Sequence, residues 1–306
     1  MTPFDSTVEI VSPDFPCGAE WLANALLEFS VPLWSLWGFD TRDEWLDRGD
    51  GTFTYAAHHR PWRQTLASLH VGRMFRFRDD VRPRFGHPWQ WQVEASMRTI
   101  LIVRDPRDAL HSEWRRHQRN LDLDPSIQFP EFVARPFFTA PVSVNDMLWL
   151  FLVVWIEAAR ERAGTMLTLR FEDWKEDAVR ELERVDRFLE LGCSRERLIA
   201  AAGASDVGIL KRLEDAIALS DPTARQLNRR GQPHEWKEVW KPEWNDVFDQ
   251  RWESVFSSLR YDVPERLSAT SSAAVDVEKL VPWWQEQGDA DEAGMRTMLA
   301  RMLERR

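Results

Sequence analysis

Thr99-Ile-Leu-Ile-Val-Arg-Asp-Pro-Arg-Asp108 is the stretch from which the chain can be read. Thr99 to Val103 is an unbroken β-prone run, the pattern of a strand buried on both faces, and such strands belong to parallel sheets covered by helices. A helix start follows at once. Asp105 offers an N-cap oxygen, Pro106 suits the first helical position, and Asp108 sets negative charge at the positive end of the dipole. Strand passes directly into helix, with Arg104 at the junction.

The same grammar holds on either side. Thr7 to Ser12 alternates like a strand, Pro13 to Gly18 reads as a loop, and Trp21, Leu22, Ala25, Leu26 and Phe29 recur at helical spacing. Downstream, residues 146–162 predict a mostly buried helix, 165–171 a strand and 177–191 an amphipathic helix. Strands alternating with helices give an α/β fold class, a mainly parallel sheet with helices on both faces. Residues 38–92, rich in Gly, Pro, Arg and aromatics, show no sustained period and read as functional loops or lids. Ser268 to Ala274 looks like a linker. The expected organisation is one α/β domain over 1–266, then a linker and helical tail over 267–306.

Composition narrows the function classes. A net charge of −10 over 306 residues argues against a nucleic-acid or anionic-membrane surface while leaving room for local anion sites. The two cysteines, Cys17 and Cys193, exclude a disulfide scaffold, and no His-Glu-x-x-His or similar pattern suggests a metal. The N-terminus carries no secretory signal pattern. The longest apolar run, Met147 to Ile156, is half of the roughly 20 residues a membrane span needs. A soluble, cytoplasmic protein is expected. Of 40 basic residues only five are Lys (Lys175, Lys211, Lys237, Lys241 and Lys279), and the 17 Trp residues cluster. Most of those Trp side chains are expected to serve core and surface packing.

Three segments point to an anion. Phe15-Pro-Cys-Gly-Ala-Glu-Trp21 is a loop entering a helix N-terminus, where unpaired N–H groups and the dipole favour phosphate. It lacks the Gly-Lys-Ser/Thr of an ATP-binding P-loop. Arg104, at the carboxyl end of a strand, stands eight residues before Ser112, so the two could clamp one phosphate; Arg104 could equally pair with Asp105 or Asp108. Arg229-Arg-Gly-Gln-Pro-His-Glu-Trp-Lys237 offers two cations beside a glycine that allows close backbone approach.

Taken in order, these segments resemble the cytosolic-type sulfotransferases, which move a sulfuryl group from 3′-phosphoadenosine 5′-phosphosulfate (PAPS) to an acceptor and release PAP. The family's 5′-phosphosulfate loop, Pro-Lys/Arg-Ser-Gly-Thr-Thr-Trp, is similar to residues 15–21. Its Arg…Ser motif is similar to Arg104…Ser112, and its Arg-Lys-Gly-x-x-Gly-Asp-Trp-Lys motif to 229–237. Leu169 to Asp177 resembles its Tyr-Glu-Asp-x-Lys segment, and Ser205 to Lys211 its adenine-side segment. The resemblance runs from about residue 7 to 261 and implies a P-loop-like nucleotide-binding architecture.

It also implies roles. Cys17, Gly18, Ala19 and Glu20 would surround the 5′-phosphosulfate, and Trp21 would stack on adenine. Arg104, Ser112, Arg229, Arg230 and Gly231 would hold the 3′-phosphate, with Ser205 on the adenine side. His87, in Arg84-Phe-Gly-His-Pro88, is the expected base and Glu20 its rival; Trp34, Trp37 and Trp89 would line a pocket for a small or medium organic acceptor, docked between 38–92 and 129–145. The departures are specific. Pro16 stands where the family has Lys/Arg, Ala19 and Glu20 replace its two Thr, Phe171 replaces Tyr, and His234 and Glu235 replace Gly and Asp. Arg84 or Arg98 is the expected compensating cation. A PAP-binding protein without catalysis and a small-molecule kinase of similar fold are the competing readings. The tail, from Leu280 to Trp284 and on to Leu303, could form a homodimer contact or a lid, or pack back on the domain; the family's Lys-x-x-x-Thr-Val dimer motif is absent after Lys237.

Overall fold

The computed structural model describes residues 6–13, 15–18, 21–22, 25, 33–35, 45–47, 53–55, 73–78, 98–120, 124–137, 140–208, 211, 231–268 and 276–286. Strand β1 (Ser6–Val11) runs through the middle of a five-stranded sheet. Around it lie β2 (Leu33–Ser35), β5 (Arg73–Arg78), β6 (Arg98–Val103) and β7 (Met166–Arg170), in the order β2-β5-β1-β6-β7. Every pairing in this sheet is parallel: Ile10 lies opposite Phe77 on one side and Ile100 on the other. Strands β3 (Trp45–Asp47) and β4 (Phe53–Tyr55) form a separate antiparallel pair.

This order fixes where a ligand belongs. From β1 the chain goes out to the edge strand β2, comes back to β5 beside β1, and then crosses to the other side, where it winds outward through β6 to β7. The winding therefore reverses beside β1, and in open α/β sheets ligands bind outside the carboxyl ends of the strands at such a point. The loops after β1 and after β6 meet there.

β6 shows why the sequence reading worked. Successive strand residues face opposite sides of a sheet, and Thr99 through Val103 are all buried, so both faces of β6 are covered. Helix α1 (Pro106–Asn120) begins as its sequence dictates: the Asp105 carboxylate accepts from the Arg107 N–H at 3.0 Å, and its carbonyl from Ala109 at 2.9 Å. After the short helix α2 (Phe129–Ala134) comes α3 (Val144–Glu161), capped by Ser143, which accepts from the Asp146 N–H. Residues 144–152 of α3 are buried without interruption, which explains an apolar run too short for a membrane. No helix among the described residues is long and apolar enough to cross one.

β7 leads directly into α4 (Phe171–Glu176), followed by α5 (Ala178–Leu189, capped by Asp177) and α6 (Arg195–Ala204, capped by Ser194). Then come α7 (Trp236–Val239), a 3-10 helix (Pro242–Val247), α8 (Arg251–Ser258) and α9 (Val277–Glu286). Of the clustered Trp residues, Trp244 is buried, and Trp240 joins two ring groups in the core, Trp114, Phe129 and Trp244 on one side and Phe248, Trp252 and Phe256 on the other. Leu280 of α9 is fully buried in the same core.

Three sequence expectations change. Residues 38–92 are not all loop, since β3, β4 and β5 lie within them; β5 was missed because Arg73-Met-Phe-Arg-Phe-Arg78 mixes cations into a strand flanked by β1 and β2. The strand expected over 165–171 stops at Arg170, and Phe171 opens a helix instead. The segment 129–145, whose Pro and aromatic content without clear periodicity reads as a loop on the acceptor side, is partly helical, because α2 occupies its first turn and a half and α3 its end.

Candidate functional site

Gly18 ends the loop after β1 and starts the next helix, its carbonyl accepting from Trp21 at 3.1 Å and from Leu22 at 3.4 Å. Its φ is +90°, and a Cβ there would come within 2.7 Å of the Phe171 ring. Only glycine meets both demands. Gly231, at φ +56°, repeats the situation: a Cβ would lie 2.6 Å from the Trp21 indole and 2.9 Å from Val207. The loop after β1, the segment 205–208 and the start of the late basic motif therefore converge on Trp21.

One guanidinium ties these segments to β6. Arg104, buried at 5 % exposure, donates from one terminal nitrogen to the Pro16 carbonyl at 3.0 Å and to Ser112 Oγ at 3.1 Å. Its other terminal nitrogen donates to the Gln232 carbonyl at 3.1 Å and lies 3.7 Å from Asp108. The guanidinium carbon sits 4.3 Å from the centre of the Phe171 ring. Arg104 Nε is buried with no hydrogen-bond partner among the described residues. The two alternatives for Arg104 are thus both partly realised: it meets Ser112 and Asp108 together, while Asp105 is taken by Arg107 at 2.7 and 2.9 Å.

Asp108 holds the late motif in place. Its Oδ1 accepts from the Trp236 N–H at 2.8 Å, and burial pushes its carboxyl up to about 6 against the pull of Arg104. Glu172 braces the same corner, accepting from the Asp105 N–H at 3.0 Å and from the Tyr261 hydroxyl at 2.7 Å. The Tyr261 hydroxyl is pushed well above its ordinary pKa, first by burial and then by Glu172.

Several expected roles look different in place. Cys17 is buried and burial drives its thiol strongly upward, so its side chain is a core group. Ser205 caps α6, its hydroxyl donating to the Ala202 carbonyl at 2.9 Å, and its buried side chain serves the helix end. Arg98 cannot compensate for Pro16: it lies at the amino end of β6, bonded to the Phe188 carbonyl and to Glu190 at 2.5 Å. Among the described residues, the cation bonded to position 16 is Arg104, through the Pro16 carbonyl. Ala19, Glu20, Trp37, Arg84, His87, Trp89, Arg229 and Arg230, the Trp34 side chain and the tail beyond residue 286 lie outside the described residues.

Phe171 and Lys175, to which the sequence reading gave no role, join the candidate site through Trp21. They stand four apart on α4 and both meet Trp21, Phe171 at 4.8 Å between ring centres and Lys175 with its ammonium 4.2 Å from the indole centre. Their i, i+4 spacing is the signal that places them on one face, legible once Phe171 opens a helix. His234 holds φ +58° at the position where the resemblance expects glycine.

The arrangement gathers a buried guanidinium, a hydroxyl, two glycine positions without room for a Cβ and an indole at the winding reversal, a set suited to a phosphorylated nucleotide. The family model for the sulfotransferase domain matches residues 87–260, more than half of the chain. Among solved structures the chain is similar to mouse sulfotransferase SULT7A1 complexed with PAP, with 16% identity, a TM-score of 0.53 and coverage of 93% of this chain and 90% of that one. It is also similar to retinol dehydratase in complex with androsterone and inactive cofactor PAP, with 14% identity, a TM-score of 0.51 and coverage of 87% and 82%. At such identities the structural likeness shows the fold. No curated protein matches the chain by sequence.

Proposed function

We propose that this chain, which belongs to the sulfotransferase domain family, transfers a sulfuryl group from PAPS to a hydroxyl or amine of a small or medium organic acceptor. The observation that carries this reading is the Arg104–Ser112 pair, held at 3.1 Å at the carboxyl end of β6. A guanidinium and a hydroxyl already in contact are organised for one phosphate, and the buried Arg104 Nε, unpaired among the described residues, adds a further donor.

PAPS supplies an activated sulfuryl group; the chain's own residues bind and orient it. Arg104, Ser112 and the backbone at Gly231 would take the 3′-phosphate, with Arg229 and Arg230 completing the charge. Gly18 would admit the 5′ end, where a side chain would strike Phe171, and Trp21 would carry the base. His87 would remove the acceptor's proton, with Glu20 the rival, since an imidazole titrates near neutrality. Catalysis of this kind is mainly positioning and charge stabilisation. Arg104 serves twice here, because it also donates to the Pro16 carbonyl in the loop that has lost its own cation.

Calorimetric titration with PAP and with AMP tests the reading. PAP should bind and AMP, lacking the 3′-phosphate, should bind at least tenfold more weakly; Arg104→Ala should erase that difference, a loss on the order of 10–100-fold for PAP. Equal binding of the two nucleotides by the parent protein would sink the assignment. A second reading, PAP binding without turnover, draws on Pro16, and transfer from PAPS to any acceptor separates the two.

A further inference from the structure

We propose that Lys175 is a nucleobase contact of the donor site, its ammonium donating to the edge of the purine that Trp21 carries. The inference rests on the nucleotide reading above and adds to it a residue to which neither the loop motifs nor the phosphate clamp assigned a role.

Lys175 sits in the last turn of α4, one turn beyond Phe171, and the shared face of these two residues meets the Trp21 indole. A lysine at a helix end ordinarily sends its ammonium into water. This one is half-buried and held 4.2 Å from the centre of an indole. Among the described residues no carboxylate lies within ion-pairing distance of it; Asp206 acts on it only from farther away, and burial pulls its pKa below the ordinary lysine value. An ammonium has three donors, and no hydrogen bond takes any of them among the described residues. A desolvated cation of this kind, on the ring assigned to the base, is a donor set awaiting acceptors.

The position selects the base over the phosphates. Arg104 lies on the Phe171 ring at 4.3 Å, and Phe171 in turn lies against Trp21 at 4.8 Å, so Phe171 stands between the two cations. Arg104 and Ser112 serve the phosphate end, and Lys175 serves the other. The Gly231 backbone lies against the benzo edge of Trp21, so close that a Cβ would stand 2.6 Å from the indole, and this leaves the ammonium side of the ring for a base. A purine laid there presents ring nitrogens that accept hydrogen bonds, such as N7 of adenine.

The test compares Lys175→Met, which keeps the length and removes the charge, with the parent protein by calorimetry. The probes are PAP and the tetrahydrofuran 3′,5′-bisphosphate that lacks a base. Binding of PAP by the parent protein checks the nucleotide reading on its own. Given that binding, Lys175→Met should weaken PAP about five- to tenfold and leave the base-free bisphosphate unchanged. Lys175→Gln, which retains a donor, should recover part of the loss. Equal weakening of both probes would make Lys175 a phosphate contact and overturn the proposal. Unchanged PAP binding would overturn it too, and so would tighter binding, which would make the ammonium a plug on Trp21.

Discussion

His234 and Gly231 show what single residues carry in this fold. His234 adopts φ +58° in the turn that leads into α7, a region that costs a residue with a Cβ about 1–2 kcal/mol relative to glycine. Glycine returns part of that through the greater entropy of the unfolded chain. His234→Gly should therefore stabilise the protein by about 0.5–1 kcal/mol, read as a higher urea midpoint at unchanged m-value. A lower midpoint would mean that the imidazole makes contacts worth more than the strain. Gly231 is the converse. Gly231→Ala must place a methyl 2.6 Å from Trp21 at φ +56°, so the indole or the loop has to move. PAP affinity should fall at least tenfold, with a stability loss of about 1–3 kcal/mol; intact affinity would show that Trp21 is not the base platform.

At the scale of elements, the question is how α7 stays fastened to α1. Asp108 accepts from the Trp236 N–H while its carboxyl is pushed from 3.8 to about 6, first by burial. A folded-state pKa above the unfolded one means that the folded protein binds more protons between those values. Its stability then falls as pH rises from about 4 to 6 and the penalty is complete above 6. Asp108→Asn keeps an oxygen for Trp236 and deletes the charge. Urea midpoints at pH 4, 5, 6 and 7 should show a flatter profile for the variant and a gain of about 3 kcal/mol at pH 7. An unaltered slope would show that Asp108 does not titrate in that window. What could be read in advance follows the same division between local and distant causes. The β6–α1 junction was legible because Asp105 caps its own neighbours, two and four residues on. α4 was not, because what anchors its first turn is remote: Glu172 answers to Asp105 and to Tyr261, 67 and 89 residues away. β5 was illegible for a related reason, since its strand character comes from pairing with β1 and β2 and not from its own Arg-rich alternation.

Over the whole molecule, the Arg104 contacts and the anchoring of α9 should make separate contributions to stability, and this separation can be measured. Arg104 joins the loop after β1, α1 and the late motif through three hydrogen bonds from one side chain, so a nucleotide that engages it stiffens segments far apart in the chain. The clamp itself was visible in the sequence as Arg104 and Ser112; the Pro16 and Gln232 carbonyls were not, because backbone acceptors leave no trace in residue identity. α9 contributes differently. Leu280 is fully buried in the hydrophobic core, and the ring, cation and glycine contacts described for Trp21 are made by other residues. Leu280→Ala should cost about 2–5 kcal/mol through the lost burial and the cavity left behind. Ligand linkage adds a term set only by concentration and affinity, about 2.7 kcal/mol at 100 times Kd. If the tail packs the core and takes no part in the site, thermal unfolding of Leu280→Ala should begin from a lower Tm yet show the same PAP-induced gain in free energy as the parent chain. Arg104→Ala should do the reverse, losing the PAP increment. A Leu280→Ala protein that remains folded but no longer responds to PAP would place α9 in the nucleotide site and give the tail the role of a lid.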